Sequence, residues 1–270
     1  MSRKDSQRGR RRQLAHCRAV LTGASSGIGR ELAWALAERR ARLVLVARNA
    51  TGLEQVAAEC RRRGGEAATL AGDVTEAATR SAAVRLADER WQGLDLLVNN
   101  AGVSAHGRFA DSDESTLRRI LEVNFFAAVE LVREALPLLR QGRDPAVVNV
   151  GSILGHRGVP YNAEYAASKF ALRGWSESVR PELAADGVEL LLVSPGATAT
   201  GFFDHLLAKR GELPWGAATA IPPQEVARQA VRAIEQRRRE VIPNWRGRLL
   251  VVANRFLPGC VDRWMLRYGD

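Results

Sequence analysis

A glycine-rich loop between a strand-like and a helix-like segment is the feature that most restricts the fold of this chain. The apolar run Cys17–Leu21 leads into Thr22–Gly29, which reads Thr-Gly-Ala-Ser-Ser-Gly-Ile-Gly, and a helical pattern covers Ile28–Arg40. A strand, a tight glycine turn and a helix N-terminus form the phosphate-binding end of doubly wound α/β sheets. The spacing is not the more common Gly-x-Gly-x-x-Gly, so taken alone the loop also fits an ordinary glycine-rich turn.

Short apolar segments alternate with helical patterns along most of the chain, which predicts repeated βαβ units. The apolar segments are too continuously hydrophobic for half-exposed strands, so both faces of the sheet should be covered by helices. Strands are expected at Cys17–Leu21, Arg42–Ala47, Ala67–Ala71, Leu94–Asn99, Ala146–Gly151, Val188–Ser194 and Glu240–Ile242. Helices are expected at Ile28–Arg40, Leu53–Arg63, Glu76–Trp91, Glu114–Arg140, Glu164–Ala185 and Gln224–Arg239. The predicted fold class is a doubly wound (Rossmann) α/β fold with a seven-stranded parallel sheet.

The chain of 270 residues suits a single domain of this class. Residues 1–13 are polar and arginine-rich and are expected to be a disordered arm, residues 14–244 form the domain, and residues 245–270 are an amphipathic basic extension. The apolar runs are far shorter than the ~20 residues of a membrane-spanning helix. Three widely spaced cysteines fit neither a disulfide framework nor a zinc site, which favours a cytoplasmic protein.

The net charge of +10 is concentrated at the two ends of the chain, and the body between them is close to neutral. A basic groove with a recognisable reading module is absent from the sequence, so nucleic acid is not an expected partner. Residues 245–268 combine apolar residues at helical spacing with flanking arginines. Such a segment can lie on an anionic membrane surface, cover the protein's own core or contact a partner subunit.

The glycine loop and the next two strands carry the expected cofactor contacts. Gly23 permits the tight turn, Gly27 lets the backbone approach a phosphate, and Gly29 lets the helix pack close to the strand. The second strand ends at Arg48 with no acid beside it. An acid would repel a ribose 2′-phosphate, whereas an arginine can pair with it, so NADP(H) is the expected cofactor. Asp73 follows the third strand and can accept a hydrogen bond from adenine or cap the next helix.

A tyrosine and a lysine one helical turn apart form the expected catalytic pair. Tyr165 and Lys169 share a helix face, and a nearby ammonium should lower the pKa of the phenol. Tyr165 can then act as a general acid for carbonyl reduction or as a base for alcohol oxidation. Ser152 ends a strand at the cofactor edge and can hold the substrate oxygen. Asn124 interrupts an apolar helical run and can support a proton relay with Lys169.

In this combination and order, these motifs resemble the short-chain dehydrogenase/reductase family, in its standard-length branch. The resemblance covers most of the chain, from Thr22 to about Thr200, and includes the segment Asn99–Gly102 and Pro195-Gly196. It implies a catalytic tetrad of Asn124, Ser152, Tyr165 and Lys169. The expected cofactor contacts are Gly23, Ser25, Ser26, Gly27, Ile28, Gly29, Arg48, Asp73, Val74, Asn100, Ala101, Gly102, Tyr165, Lys169, Pro195, Gly196, Thr198 and Thr200. Thr198 departs from the family pattern, which usually has a small apolar residue there.

The segment 201–221 should be a loop that covers the substrate, and its apolar residues suggest an apolar substrate. Substrate contacts are expected from Ser152, Tyr165, His156, Phe202 and Phe203, although packing within the loop would also explain His156 and the two phenylalanines. No metal is expected, because a nicotinamide supplies the hydride and Tyr165 the proton.

The favoured function is an NADP(H)-dependent carbonyl reductase that also works reversibly as an alcohol dehydrogenase. The alternative is an NADP(H)-binding sensor or scaffold with little turnover, which the complete tetrad disfavours. The resemblance also implies a homodimer or homotetramer formed through Glu114–Arg140 and Glu164–Ala185.

Overall fold

A computed structural model describes residues 10–204, 206–210 and 220–268, without the side chains of residues 203, 204 and 210. The strands are β1 (Arg18–Thr22), β2 (Arg42–Ala47), β3 (Glu66–Ala71), β4 (Leu96–Asn99), β5 (His106–Gly107), β6 (Ala146–Val150), β7 (Glu189–Val193), β8 (Lys209–Arg210) and β9 (Glu240–Val241). The helices are α1 (Gly27–Ala37), α2 (Ala50–Arg62), α3 (Ala77–Trp91), α4 (Glu114–Leu121), α5 (Ala127–Leu139), α6 (Ala163–Ala185), α7 (Pro223–Glu235), α8 (Trp245–Phe256) and α9 (Pro258–Met265).

The main sheet has seven parallel strands in the order β3-β2-β1-β4-β6-β7-β9, which confirms the predicted fold class. The strand order reverses between β1 and β4, so a crevice opens at their carboxyl ends. The short strands β5 and β8 pair separately and join the segment after β4 to the segment after β7. The predicted strand at Leu94–Asn99 begins two residues later in the structure, at Leu96.

Helices cover both faces of the sheet, as the continuous hydrophobicity of the strands predicts. Ala19 and Leu21 of β1 pack in one buried cluster with residues of α1, α2 and α7. Val20, between them, belongs to a second cluster with residues of α3, α5 and α6. Successive side chains of a strand point to opposite faces, so the middle of this central strand needs apolar residues at consecutive positions.

The helix predicted over Glu114–Arg140 is interrupted, which corrects the sequence analysis. A π-helical segment, Glu122–Phe126, separates α4 from α5. π-helical turns often occur at functional sites because they redirect one side chain without ending the helix. Here the turn contains Asn124, whose side chain is almost completely buried.

Both termini of the described chain pack on the domain. Residues 1–9 of the predicted arm lie outside the described residues, but Arg12 is only 4% exposed and forms an ion pair with Glu189 at 2.8 Å. The expectation of disorder is therefore wrong for this part of the arm. At the other end, Val261 and Met265 of α9 are buried, whereas much of the outer surface of α8 is exposed. Among the described helices, none is long and apolar enough to cross a membrane.

Candidate active site

The turn after β1 and the first turn of α1 each require a glycine. Gly23 has a φ of +65°, and a Cβ there would lie 2.8 Å from the Ala101 Cα. A Cβ on Gly29 would lie 2.2 Å from the Gly23 carbonyl oxygen. The Asn100 amide group donates to the carbonyl oxygens of Thr22 and Gly23 at 3.0 and 3.1 Å. The side chain of Asn100, an expected cofactor contact, therefore holds the glycine turn in shape.

The N-terminus of α1 fits the pyrophosphate of a dinucleotide. Its N-cap residue, Ser26, makes no side-chain capping bond within the described structure, and the first turn contains no acidic residue. The first N–H groups of a helix have no intrahelical partner and attract anions. Gly27 has a φ of +53°, and a Cβ there would lie 3.3 Å from the Thr200 side chain. The glycine loop and Thr200, both expected contacts, therefore face each other across a narrow cradle.

Tyr165 and Lys169 lie one turn apart on α6, as predicted. The Lys169 ammonium is 5.6 Å from the centre of the Tyr165 ring, and its Nζ donates to the Val150 carbonyl oxygen at 3.0 Å. This bond fixes the lysine at the carboxyl end of β6. Ser152 lies two residues after the end of β6, and its hydroxyl lies close enough to the phenol to lower the pKa of Tyr165. Strand β6 and helix α6 therefore place three predicted catalytic residues together.

Asn124 is held beside the lysine by backbone and side-chain contacts. Its Oδ1 accepts from the Val103 N–H at 2.8 Å, and its Nδ2 donates to the Val103 carbonyl and the Ser168 hydroxyl, both at 2.9 Å. A Cβ on Gly102 would lie 3.3 Å from Asn124 Oδ1 and 3.8 Å from Lys169 Nζ. The four residues of the expected tetrad therefore converge on one site.

Burial has the largest effect on the pKa values of Tyr165 and Lys169. It raises the pKa of Tyr165 to about 12, against a smaller lowering by Ser152, and it lowers the pKa of Lys169 to about 8. Removal from water disfavours the charged form of each group, which explains the opposite directions. The expectation that the phenol has a lowered pKa is therefore wrong for the described structure, because burial outweighs the contacts that favour the phenolate. At pH 7 the phenol is protonated, which is the form that donates a proton.

Of the two residues expected around the adenosine, Arg48 is free in the described structure to contact a cofactor, whereas Asp73 already accepts hydrogen bonds from the protein. Arg48 is exposed at the end of β2 and forms no hydrogen bond in the described structure. Asp73 accepts from the Thr75 N–H at 3.0 Å and from Arg119 at 2.6 Å. Burial raises the pKa of Asp73, but these bonds outweigh it and hold the pKa below its usual value. Asp73 does not cap the next helix, because the N-cap residue of α3 is Glu76.

His156 is not placed to bind substrate through its Nε2, which corrects the sequence analysis. This nitrogen lies 2.8 Å from a Glu240 carboxylate oxygen and 3.3 Å from the Ser194 hydroxyl. The side chain is only 6% exposed. The contacts join the segment after Ser152 to β9 at the edge of the sheet, so they stabilise the loop that carries the catalytic serine.

The described part of the substrate loop lies against the catalytic tyrosine. The Phe202 ring is 6.0 Å from the Tyr165 ring, centre to centre, and the Phe202 N–H donates to the Thr200 hydroxyl at 3.3 Å. Thr198, the departure from the family pattern, donates its hydroxyl to the Gly196 carbonyl oxygen at 3.0 Å. The side chain of Phe203, an expected substrate contact, lies outside the described residues.

Several polar residues that organise the site were not singled out from the sequence. The Thr22 hydroxyl accepts from the N–H groups of Asn100 and Ala101 at 3.0 and 3.1 Å, which joins the glycine turn to the segment after β4. Asn149 bridges Asn99 and a helix serine through bonds of 2.9 Å. A polar residue inside the apolar run Ala146–Val150 is the signal that could have found this network.

The comparisons with known proteins agree with this geometry. The family described as short chain dehydrogenase matches residues 18–211. The ketoacyl reductase HetN of Nostoc is 34% identical over 93% of this chain and 88% of its own length. A hydroxysteroid 11-beta-dehydrogenase 1-like protein of Danio rerio is 34% identical over 86% of this chain and 80% of its own.

Solved structures show the same architecture. An alcohol dehydrogenase from Thermococcus sibiricus, complexed with 5-hydroxy-NADP, has a TM-score of 0.74 and 28% identity, covering 83% of this chain and 94% of its own. A short chain dehydrogenase/reductase from Burkholderia phymatum, in complex with NAD, has a TM-score of 0.82, covering 90% of this chain and 94% of its own; at 24% identity it supports the fold alone.

The fold and the site define an oxidoreductase that uses a nicotinamide cofactor. The chain belongs to the short-chain dehydrogenase/reductase family.

Proposed function

We propose that this protein is an NADP(H)-dependent carbonyl reductase, reversible as an alcohol dehydrogenase, acting on an apolar small molecule. The convergence of Tyr165, Ser152, Lys169 and Asn124 beside the glycine-loop cradle carries the proposal. When bound, the reduced nicotinamide supplies the hydride for the carbonyl carbon.

The side chains of the tetrad position the carbonyl oxygen, donate its proton and stabilise the charge that remains. The Ser152 hydroxyl donates a hydrogen bond to the carbonyl oxygen and holds it beside the phenol. Tyr165, protonated at neutral pH because burial raises its pKa to about 12, donates its proton to that oxygen. Lys169 provides a positive charge that stabilises the phenolate left behind. Asn124 fixes the π-helical turn next to the lysine.

The preference for NADP(H) is supported by the end of β2. Arg48 is exposed and unpaired in the described structure, and the next residue, Asn49, accepts from the Gly52 N–H at 2.9 Å as the N-cap of α2. The chain therefore has a cation, and no carboxylate, directly after this strand. The complex of the Thermococcus sibiricus enzyme with an NADP derivative is consistent with this preference.

An apolar substrate is supported by the loop and by the relatives. Phe202 lies against the catalytic tyrosine, so an apolar surface borders the reacting oxygen. The names of two relatives refer to ketoacyl and hydroxysteroid compounds, which are both largely hydrocarbon. These observations support a substrate that pairs one carbonyl or secondary alcohol with an apolar frame.

The test is a panel of aliphatic, aromatic and steroid ketones, followed by NADPH absorbance. At least one class should be reduced, and Tyr165→Phe should lower kcat by about 1000-fold while the Kd for NADPH changes less than threefold. Tyr268→Phe is the matched control and should retain full activity. Cofactor binding without turnover of any ketone or secondary alcohol would favour the sensor hypothesis instead.

We also propose a cytoplasmic location. Cys17 and Cys60 are free and buried, and burial raises the pKa of each thiol to about 12, so both are unreactive. Cys260 is free and exposed. Free thiols of this kind suit a reducing compartment, and fractionation of the source cells checks the location.

A further inference from the structure

The outer surface of α8 exposes large apolar side chains at helical spacing, and further exposed apolar side chains lie on α9 and at its two ends. Trp245, Leu249, Val252 and Phe256 recur along one side of α8 and are 67%, 60%, 52% and 73% exposed. Leu257, Trp264 and Leu266 lie before, on and after α9 and are 59%, 43% and 72% exposed. We call these seven residues the apolar face. Large contiguous apolar patches on a protein surface generally mark an interaction site.

The opposite side of α8 is packed on the domain, so the exposure of the apolar face is not explained by a helix detached from the body. Gly247 is buried, and a Cβ there would lie 3.0 Å from the Ile153 side chain. Asn254 donates to the His156 carbonyl oxygen at 3.3 Å and accepts from Arg157 at 3.2 Å. The helix is therefore fixed with its apolar residues directed outward.

Arginines surround the apolar face and give it a positive charge. The exposed arginines of α8, α9 and the turn after them are Arg246, Arg248, Arg255, Arg263 and Arg267. The one acidic residue within 245–268 is Asp262, which forms an ion pair with Arg157 at 2.6 Å. The guanidinium group of Arg246 lies 5.4 Å from the Trp245 ring centre, so cation and aromatic ring share one position.

The combination of apolar side chains and arginines favours one kind of partner for the apolar face. A second copy of the chain would place the same cluster of arginines against its own equivalent, and like charges at close range oppose such a contact. The α4–α6 region is a better candidate for the interface of the expected homo-oligomer, because Phe126 and Phe170 are 48% and 43% exposed there. An anionic lipid surface satisfies both features, because it takes up apolar side chains and attracts the surrounding arginines.

We propose that the apolar face of α8 and α9 docks the protein on the surface of a membrane containing anionic lipid. The helices lie along the surface, with Trp245, Leu249 and Phe256 among the acyl chains and the arginines among the headgroups. Docking of this kind is peripheral and reversible, and it requires no spanning segment. It is independent of the substrate proposed above.

The experiment is co-sedimentation of the full-length protein with phosphatidylcholine vesicles containing 30% phosphatidylglycerol, and with phosphatidylcholine vesicles alone. We expect at least tenfold tighter binding to the anionic vesicles. Leu249→Gln with Phe256→Gln should weaken that binding at least tenfold. Phe109→Gln is the matched control, because Phe109 is 80% exposed outside the face, and it should bind as the unmodified protein does.

A second variant separates the arginines around the apolar face from exposed arginines on α4 and α5. Arg246→Gln, Arg255→Gln and Arg263→Gln together should remove most of the preference for anionic vesicles, whereas Arg118→Gln with Arg133→Gln should not. Unchanged vesicle binding by both the apolar and the arginine variants would overturn the proposal. It would likewise be overturned if the Leu249 and Phe256 changes lowered the oligomeric state in gel filtration and left vesicle binding intact, because a second copy would then cover the face.

Discussion

At the scale of single residues, catalysis depends on how the site controls the charges of Tyr165 and Lys169. Burial raises the pKa of the phenol to about 12 and lowers that of the ammonium to about 8. At pH 7 both groups are therefore protonated, and the phenol is ready to donate. Alcohol oxidation needs the phenolate instead. At pH values below the pKa of the phenol, the phenolate fraction rises about tenfold with each unit increase in pH. Oxidation should therefore accelerate between pH 7 and pH 10.

Replacing Lys169 with methionine should move this pH dependence. The ammonium lies 5.6 Å from the ring centre, so its loss removes the positive charge that attracts the phenolate. We expect alcohol oxidation at pH 7 to fall by about 100-fold, or ~2.7 kcal/mol, and to recover in part at pH 10. The measurement is the pH profile with NADP⁺ saturating. Lys169→Arg keeps the charge, so its activity at pH 7 should lie between those of the unmodified protein and Lys169→Met. Normal turnover of Lys169→Met with an unshifted pH profile would contradict the catalytic assignment.

The charge of Arg48 should determine which nicotinamide cofactor binds. A guanidinium at the end of β2 can pair with a 2′-phosphate, so NADPH should bind at least tenfold more tightly than NADH, or ~1.4 kcal/mol. Arg48→Asp should narrow or reverse this difference, because a carboxylate repels the phosphate and accepts from a free 2′-hydroxyl. Fluorescence titration with each cofactor measures both affinities. Arg85→Asp is the control, because it makes the same change at an exposed position on α3. Equal affinities of the unmodified protein for NADPH and NADH would refute the role of Arg48.

At the scale of secondary-structure elements, the sequence predicts the seven strands of the main sheet to within about two residues, because most of them are apolar runs between polar turns. The short strands β5 and β8 were not predicted. The interruption of the helix at Glu122–Phe126 could not be predicted in this way. It depends on Asn124, whose side chain bonds to the Val103 backbone 21 residues earlier in the chain. Periodicity describes one helix face and contains no information about such a contact.

The same limit explains two further corrections, at Arg12 and His156. Arg12 belongs to a basic, polar stretch that is typical of disorder, and its buried ion pair depends on Glu189, which is far away in the sequence. His156 is close to Ser152 in the sequence, but its ring is directed to Glu240 on β9. Tyr165 and Lys169 were predictable because the chemistry requires a fixed spacing on one helix, α6. The residues that support them were not, because their partners are distant in the chain.

The loop that carries Ser152 is held by the C-terminal helices, and this contact can be tested. Arg157, five residues after the serine, forms an ion pair with Asp262 of α9 at 2.6 Å and donates to Asn254 of α8 at 3.2 Å. Arg157→Gln should lower kcat about tenfold, or ~1.4 kcal/mol, because a less restrained Ser152 positions the carbonyl oxygen less well. The Kd for NADPH should stay the same.

The control for this change is Arg118→Gln, which breaks an exposed pair on α4 and should leave kcat unaltered. Steady-state kinetics and cofactor titration on the same preparations provide both numbers. If Arg157→Gln lowers only the melting temperature and kcat is preserved, the contact stabilises the C-terminal helices without positioning the serine.

At the scale of the whole molecule, the beginning of the described chain packs at the amino ends of strands β6 and β7. The Arg12 guanidinium donates to the carbonyl oxygens of Asp144 and Ile234 and pairs with Glu189 at 2.8 Å. Arg237 pairs with the same two acids, Asp144 and Glu189, from the turn after α7. One cluster therefore connects the N-terminal segment, the turn before β6, strand β7 and helix α7.

Replacing Arg12 with alanine should destabilise the domain without changing its chemistry. The guanidinium is 3% exposed, so its removal leaves two carbonyl oxygens and part of two carboxylates without a donor. Loss of one member of a buried pair costs up to ~3–5 kcal/mol, but Arg237 still pairs with both acids and Glu189 is partly exposed, so we expect about 2 kcal/mol. For a domain of this size this lowers Tm by about 4–8 °C. Thermal unfolding followed by circular dichroism measures the shift, with Arg118→Ala as an exposed control that should change Tm by less than about 2 °C. An unchanged Tm for Arg12→Ala would mean that the Arg12 cluster does not contribute to the stability of the domain.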